Sequence, residues 1–360
     1  MTDLTIVDDM LRVQWPDAAA DYPLIWLRDN SPDAFDPATQ ERVLDLLAVP
    51  ETPNLQDAHL DGGAVVLNWA DAPMARFDLD WLAQHRPGRP TQDAAAIAFQ
   101  PWEAGFTPPR HAAQNILTSD DGLRAWMRDT KAWGLTIVEG LAGEGAGISV
   151  AERVGFLRRT NFGTTFEVMS KPDPNNLAYT SHALPLHTDL PNQEVPPGYQ
   201  FLHCLENAAE GGGSVFADGV ALAEALRETD PEAFDLLATV PVPFRFHDTE
   251  TDIRVRRPVI TLDGAGHVQE LRWNAHIADV FDMEADILAA YYRAYRAYMA
   301  LTREARFRVE FSLAPGEMVV FDNRRVLHGR AAFDPSTGRR HLQGCYVDRG
   351  EFDARLRKLG

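Results

Sequence analysis

Two distant stretches of this chain hold residues that do chemistry only in combination. His187-Thr188-Asp189 sets an imidazole and a carboxylate two residues apart, after Leu184 and Leu186 alternating with Pro185 as in a strand. In a strand, residues two apart point to one face. Far downstream, His328 follows the apolar run Met318-Val319-Val320-Phe321 and offers a second imidazole. Two imidazoles and one carboxylate on one face leave about three coordination positions open, the arrangement with which non-haem Fe(II) oxygenases hold an oxo-acid cosubstrate and O2 together. With eleven His in the chain, an H-x-D triplet arises by chance roughly once. Its weight comes from the order around it: His187 and Asp189, then Gly211-Gly212-Gly213-Ser214, then His328, then Arg340.

A dicarboxylate cosubstrate needs a fixed cation at its far end, and the planar fork of Arg binds a carboxylate through two parallel hydrogen bonds. Arg340 is placed for that task, with Arg330 and Arg339 as rivals that serve equally well as surface or ion-pair residues. Ser214 either adds a hydroxyl to the same carboxylate or is an ordinary turn residue.

These residues need a scaffold that brings positions over 140 apart to one point. From about residue 91 the pattern is mainly short strands, among them Leu135–Val138, Tyr199–Leu205, Ser214–Ala217, Met318–Phe321 and His341–Val347. Ser119 with Asp120 and Asp121 reads as a helix start, and a long helix is expected from about Glu284 to Thr302. The Tyr291, Tyr292, Tyr295 and Tyr298 stripe of that helix reads as core packing. Many short strands with few helices point to a mainly β fold with flanking helices, a double-sheet jelly roll rather than a parallel α/β sheet. Residues 1–90 read as a small N-terminal β-rich domain, with Leu24–Arg28 as one strand, ending at Arg86-Pro87-Gly88-Arg89-Pro90. The oxygenase domain is expected over 91–360.

A formal net charge of -19 argues against nucleic acid or an anionic membrane as partner, since both need clustered Lys and Arg. The N-terminus lacks the basic and apolar regions of a signal peptide and no apolar run is long enough to span a bilayer, so a cytoplasmic protein is expected. Cys204 and Cys345, the only cysteines, read as buried thiols in a reducing compartment.

Further motifs run in order through the chain: Trp26-Leu27-Arg28-Asp29-Asn30, Asn175-Asn176-Leu177-Ala178-Tyr179-Thr180, Pro196-Pro197-Gly198, Leu202-His203-Cys204, Phe321-Asp322-Asn323, Leu327-His328-Gly329-Arg330 and Arg340-His341-Leu342. Together with His187-Thr188-Asp189 they resemble the family of γ-butyrobetaine and trimethyllysine dioxygenases across nearly the whole chain. That resemblance implies a double-stranded β-helix core, with His187, Asp189 and His328 on Fe(II), and Arg340, Ser214 and Leu202 on 2-oxoglutarate. It also implies an aromatic box for a trimethylammonium group, formed here by Phe162, Phe166, Tyr179 and Tyr346. The first two are usually Tyr and Trp in the family, so this box has the weaker cation affinity.

The family's Asn residues that bind the substrate carboxylate correspond to Asn176 and a position in Leu271-Arg272-Trp273-Asn274-Ala275-His276, aligned on His276 or a neighbour. An imidazolium there suits a more highly charged anion, such as the phosphonate of 2-(trimethylammonio)ethylphosphonate; a packed, neutral His276 is the alternative. Where the family's small domain binds zinc, this chain has Ser31, Asp33, Asp36 and Pro73, which cannot replace thiolates at a closed structural site. No zinc is expected, and the small domain is expected to serve a homodimer.

The resulting expectation is an Fe(II)- and 2-oxoglutarate-dependent dioxygenase that uses O2 to hydroxylate a C–H bond of a small cationic or zwitterionic trimethylammonium compound. The alternatives are a taurine-dioxygenase-like enzyme of an uncaged sulfonate or carboxylate, and a non-catalytic binding scaffold.

Overall fold

The computed structural model describes residues 2–169 and 180–360. The chain divides into two compact units, Met1–Asp93 and Ala94–Gly360. Asn176 and Tyr179 lie outside the described residues. Among the described residues, no helix is long and apolar enough to cross a membrane.

The first unit contains two three-stranded antiparallel sheets, Asp3–Val7, Met10–Gln14, Ala19–Pro23 and Leu55–Asp61, Ala64–Trp69, Ala75–Asp78. Leu11, Val13, Tyr22, Val65 and Leu67 form their shared core. The expected strand at Leu24–Arg28 is instead a helix, Leu24–Asp29. Pro23 opens it, and Leu24 and Leu27, three apart, are the residues it buries, a spacing that shares a face only on a helix. Ser31 Oγ donates to the Asp33 carboxylate, and Asp36 Oδ1 accepts the Ala38 and Thr39 N–H groups at 2.9 and 2.8 Å. These side chains are engaged in local turns.

The second unit is a jelly roll with helices on both outer faces. Its two main sheets are built, in chain order, from β1 (Arg110–Ala112), β2 (Leu135–Glu139), β3 (Thr165–Val168), β4 (Leu184–His187), β5 (Tyr199–Asn207), β6 (Ser214–Asp218), β7 (Val309–Phe311), β8 (Met318–Asp322), β9 (Val326–Arg330) and β10 (Arg340–Val347). One sheet has the order β1-β2-β8-β5-β10-β3 and the other β4-β9-β6-β7, antiparallel except at β1–β2.

Alternation along each strand assigns its two faces. On β8, Met318 and Val320 pack under the helices Asp120–Trp133, Ala146–Val154 and Arg349–Leu359, while Val319 and Phe321 turn toward the other sheet. On β6, Val215 and Ala217 meet the helices Gly219–Thr229, Pro231–Thr239 and Ala285–Leu301, while Phe216 turns inward. Tyr291, Tyr295 and Tyr298 are buried in that outer layer, with Trp273 ring centroids 4.5 and 4.8 Å from Tyr295 and Tyr298. These three are core packing, whereas Tyr292, beside Tyr291, is 49% exposed because it falls on the outer side of the helix.

The expected N-cap forms, with Ser119 Oγ accepting the Gly122 N–H at 3.2 Å. A fully buried ion pair closes the inner layer: Arg325 donates to Asp218 through Nε at 3.1 Å and Nη2 at 2.8 Å. The same guanidinium bonds the Ala132 and Gln100 carbonyls, each at 2.8 Å, so one side chain ties the turn before β9 to the end of the helix Asp120–Trp133 and to the segment at Gln100.

Candidate active site

The inward faces of the two sheets line a cavity of about 320 Å³. Gln200 and Leu202 of β5, Ser214 and Phe216 of β6, His328 and Arg330 of β9, and Arg340, Leu342 and Tyr346 of β10 all open onto it. Each set keeps the two-residue period that a strand imposes.

His187 and His328 are direct cross-strand partners on β4 and β9, with ring centroids 4.3 Å apart. Gly329 permits this pairing, because a Cβ there would meet the Leu184 carbonyl oxygen at 2.4 Å. The expected strand stops at His187, so Asp189 is not presented by strand alternation. Trp273 O takes the Thr188 N–H at 2.6 Å, and Leu190 has φ of 53°. Asn323 then clamps the Asp189 backbone, accepting its N–H at 2.7 Å and donating to its carbonyl at 3.0 Å.

His187 Nε2 and His328 Nε2 lie 3.2 and 3.5 Å from Asp189 Oδ1. One ligand atom from each of the three residues falls within 4.8 Å of the others. His187 Nδ1 is bonded to the Pro185 carbonyl at 2.9 Å, which makes Nδ1 the protonated nitrogen and leaves the Nε2 lone pair for a metal. Burial would raise the Asp189 carboxyl, but the two imidazoles outweigh it and hold that group well below the usual carboxylate range. Burial, then His187, lowers His328. An ionised carboxylate and a neutral imidazole are the forms that bind a cation, and the donor set fits Fe(II).

Arg340 is 7% exposed, its Nε has no hydrogen-bond partner, and it makes no carboxylate ion pair among the described residues. Burial lowers its pKa. A buried guanidinium without its anion is costly, and 2-oxoglutarate supplies a carboxylate that fits. Gly212, with φ of +70°, makes room for this side chain, since a Cβ there would stand 3.2 Å from Arg340 Cδ. Ser214 and Leu202 line the same cavity. Of the two rivals, Arg339 is largely exposed, 3.6 Å from Glu206. Arg330 is in the cavity and donates to the Thr180 and His182 carbonyls at 2.7 and 3.0 Å.

The aromatic residues form two pairs. Phe166 and Tyr346 stand 5.0 Å apart, and Phe162 packs on Phe246 at 5.5 Å, edge to face. Gly344 seats the first pair, because a Cβ there would meet the Phe166 ring at 2.4 Å. His276 lines the cavity, and burial, then His187, lowers its pKa.

Sequence reasoning missed Phe246, Asn192, Gln200 and Asn274, which also line the cavity. Asn192 Oδ1 and Gln200 Oε1 are buried without hydrogen-bond partners among the described residues. Gln200 was findable, two residues before Leu202 on one strand; Phe246 and Asn192 carry no local signal that separates them from core residues.

Comparison with known proteins agrees with this geometry. Residues 101–346 match the family described as taurine catabolism dioxygenase TauD, TfdA family. The chain is 42% identical to γ-butyrobetaine dioxygenase from Pseudomonas sp. (strain AK-1), over 96% of this chain and 92% of that one. It is 29% identical to the Homo sapiens γ-butyrobetaine dioxygenase, over 97% and 94%, and 28% identical to the mitochondrial trimethyllysine dioxygenase of Gallus gallus, over 98% and 86%. Among solved structures, the non-heme iron oxygenase OrfP in complex with Fe and alpha-ketoglutaric acid shares the fold, with a TM-score of 0.51 at 14% identity over 67% of this chain and 94% of that one. The chain therefore belongs to the TauD, TfdA family, as a non-haem Fe(II) dioxygenase that uses 2-oxoglutarate and O2.

Proposed function

We propose that this dioxygenase hydroxylates a C–H bond of a short trimethylammonium zwitterion, either γ-butyrobetaine or 2-(trimethylammonio)ethylphosphonate. His187, Asp189 and His328 hold the iron; Arg340, with Ser214 and Leu202, holds 2-oxoglutarate. Bound together, these groups supply the oxidising power that places one oxygen atom of O2 into the substrate.

The observation that carries this reading is that one cavity contains the His-Asp-His cluster, a buried Arg340 with no carboxylate partner among the described residues, and two aromatic pairs. A quaternary ammonium cannot accept or donate a hydrogen bond and is held by ring faces. Phe162, Phe166, Phe246 and Tyr346 offer such faces, and the 42% identical Pseudomonas relative is named for a trimethylammonium substrate. At the anionic end, the amides of Asn192 and Asn274 offer hydrogen bonds without fixed charge and burial of His276 opposes its protonation, a set that favours a carboxylate over a dianionic phosphonate.

The test is succinate formation by Fe(II)-loaded protein with 2-oxoglutarate and O2, comparing γ-butyrobetaine, its phosphonate counterpart and trimethyllysine, with His187→Ala as control. Turnover coupled to a hydroxylated product with γ-butyrobetaine, silent in the control, supports the reading. Equal turnover of a substrate whose trimethylammonium is replaced by a primary ammonium sinks the cage and favours a taurine-dioxygenase-like enzyme.

A further inference from the structure

Tyr346 touches both halves of the site. Its ring stands 5.0 Å from Phe166 as one wall of the aromatic pocket, and its hydroxyl donates to Asp189 Oδ2 at 2.7 Å. The other carboxylate oxygen, Oδ1, is the one that faces both imidazoles, at 3.2 and 3.5 Å. Ligand atoms about 2.1 Å from one ion and at right angles stand about 3.0 Å apart. The Oδ1 separations are close to that value, so the two oxygens of this carboxylate have different surroundings.

Both ends of the Tyr346–Asp189 contact are fixed. Tyr346 is 4% exposed and sits in register with Gln200 on the neighbouring strand. Asp189 is clamped through its backbone by two hydrogen bonds with Asn323, whose Oδ1 accepts the Asp189 N–H and whose Nδ2 donates to the Asp189 carbonyl. A rotation of the carboxylate that carried Oδ2 toward the imidazoles would break its 2.7 Å bond with the phenol.

We propose that Tyr346 is a positioning residue for the metal centre. Its hydroxyl reserves Oδ2, limits Asp189 to ligation through Oδ1, and thereby keeps free a coordination position that the cosubstrate and O2 need. Its ring meanwhile walls the substrate pocket, so metal-ligand geometry and cation recognition share one side chain. The inference rests on the iron-site reading above.

The experiment compares full-length wild type, Tyr346→Phe and Tyr346→Leu. Co(II) affinity and the d–d absorption spectrum are measured anaerobically by titration, alongside KM and kcat for γ-butyrobetaine. Tyr346→Phe keeps the ring and loses the hydroxyl: Co(II) affinity should fall about 10- to 100-fold, as when other partners of metal ligands are removed, with an altered spectrum, a lower kcat and a nearly unchanged KM. Tyr346→Leu should raise KM as well. A Tyr346→Phe protein with wild-type Co(II) affinity and spectrum overturns the proposal, and so does one whose KM alone changes. Wild-type protein that takes up no Co(II) overturns the iron-site reading, and this proposal with it.

Discussion

Replacing Arg340 by Met should move stability and ligand affinity in opposite directions. In the ligand-free protein this guanidinium is 7% exposed, leaves Nε unpaired and has no carboxylate partner among the described residues. It also bears on Arg330, whose pKa is pushed down to about 10 by burial first and by Arg340 second. Met preserves most of the apolar stem and removes the buried charge, and exchanging buried charge for well-packed apolar groups is neutral or stabilising by about 1 kcal/mol or more. For a domain of this size, about 1 kcal/mol is about 2–4 °C in Tm. Cosubstrate binding changes the other way. Losing one partner of a buried, hydrogen-bonded charge pair costs about 2–5 kcal/mol, or roughly 30- to 4000-fold in Kd. Thermal melting under nitrogen with Mn(II), with and without 2-oxoglutarate, reads both effects. Wild type should gain about 2.7 kcal/mol at about 100 times Kd, while Arg340→Met melts higher without ligand and gains almost nothing from it. A variant stabilised by 2-oxoglutarate as strongly as wild type, or one that melts lower without ligand, refutes the reasoning.

Phe246→Ala removes the edge-to-face partner of Phe162; with a ring–cation contact worth about 0.5–2 kcal/mol, KM for γ-butyrobetaine should rise about 2- to 30-fold, and an unchanged KM would exclude Phe246 from cation recognition. Asp218→Asn leaves the fully buried Arg325 guanidinium uncompensated, so urea denaturation should show a loss of about 3–5 kcal/mol, and a loss below 1 kcal/mol would contradict that burial. His203 is 2% exposed, its Nδ1 has no hydrogen-bond partner among the described residues, and burial lowers its pKa from the ordinary 6.5. Its neutral ring therefore contributes stability that is present above pH 6.5 and lost as pH falls through the lower folded value. His203→Gln should flatten the decline of Tm below pH 6.5, and a profile parallel to wild type counts against this assignment.

The sequence alone carried the His187, Asp189 and His328 cluster that the fold brings together, and the fold class, because both depend on features repeated within short windows. His187 before Asp189, the glycines before Ser214 and the apolar runs before His328 and Arg340 are local signals, and two-residue periodicity assigns Leu202, Ser214, His328 and Arg340 to inward faces. The helix at Leu24–Asp29 was missed because a run this short fits either period until its neighbours choose the buried face. Only the tertiary structure decided how Asp189, past the end of its strand, is held by Asn323, 134 positions away. It alone brought Phe246 against Phe162 and the Tyr346 hydroxyl onto Asp189 Oδ2, 157 positions away. Such contacts follow from how two sheets close over one another, and no local pattern records that closure.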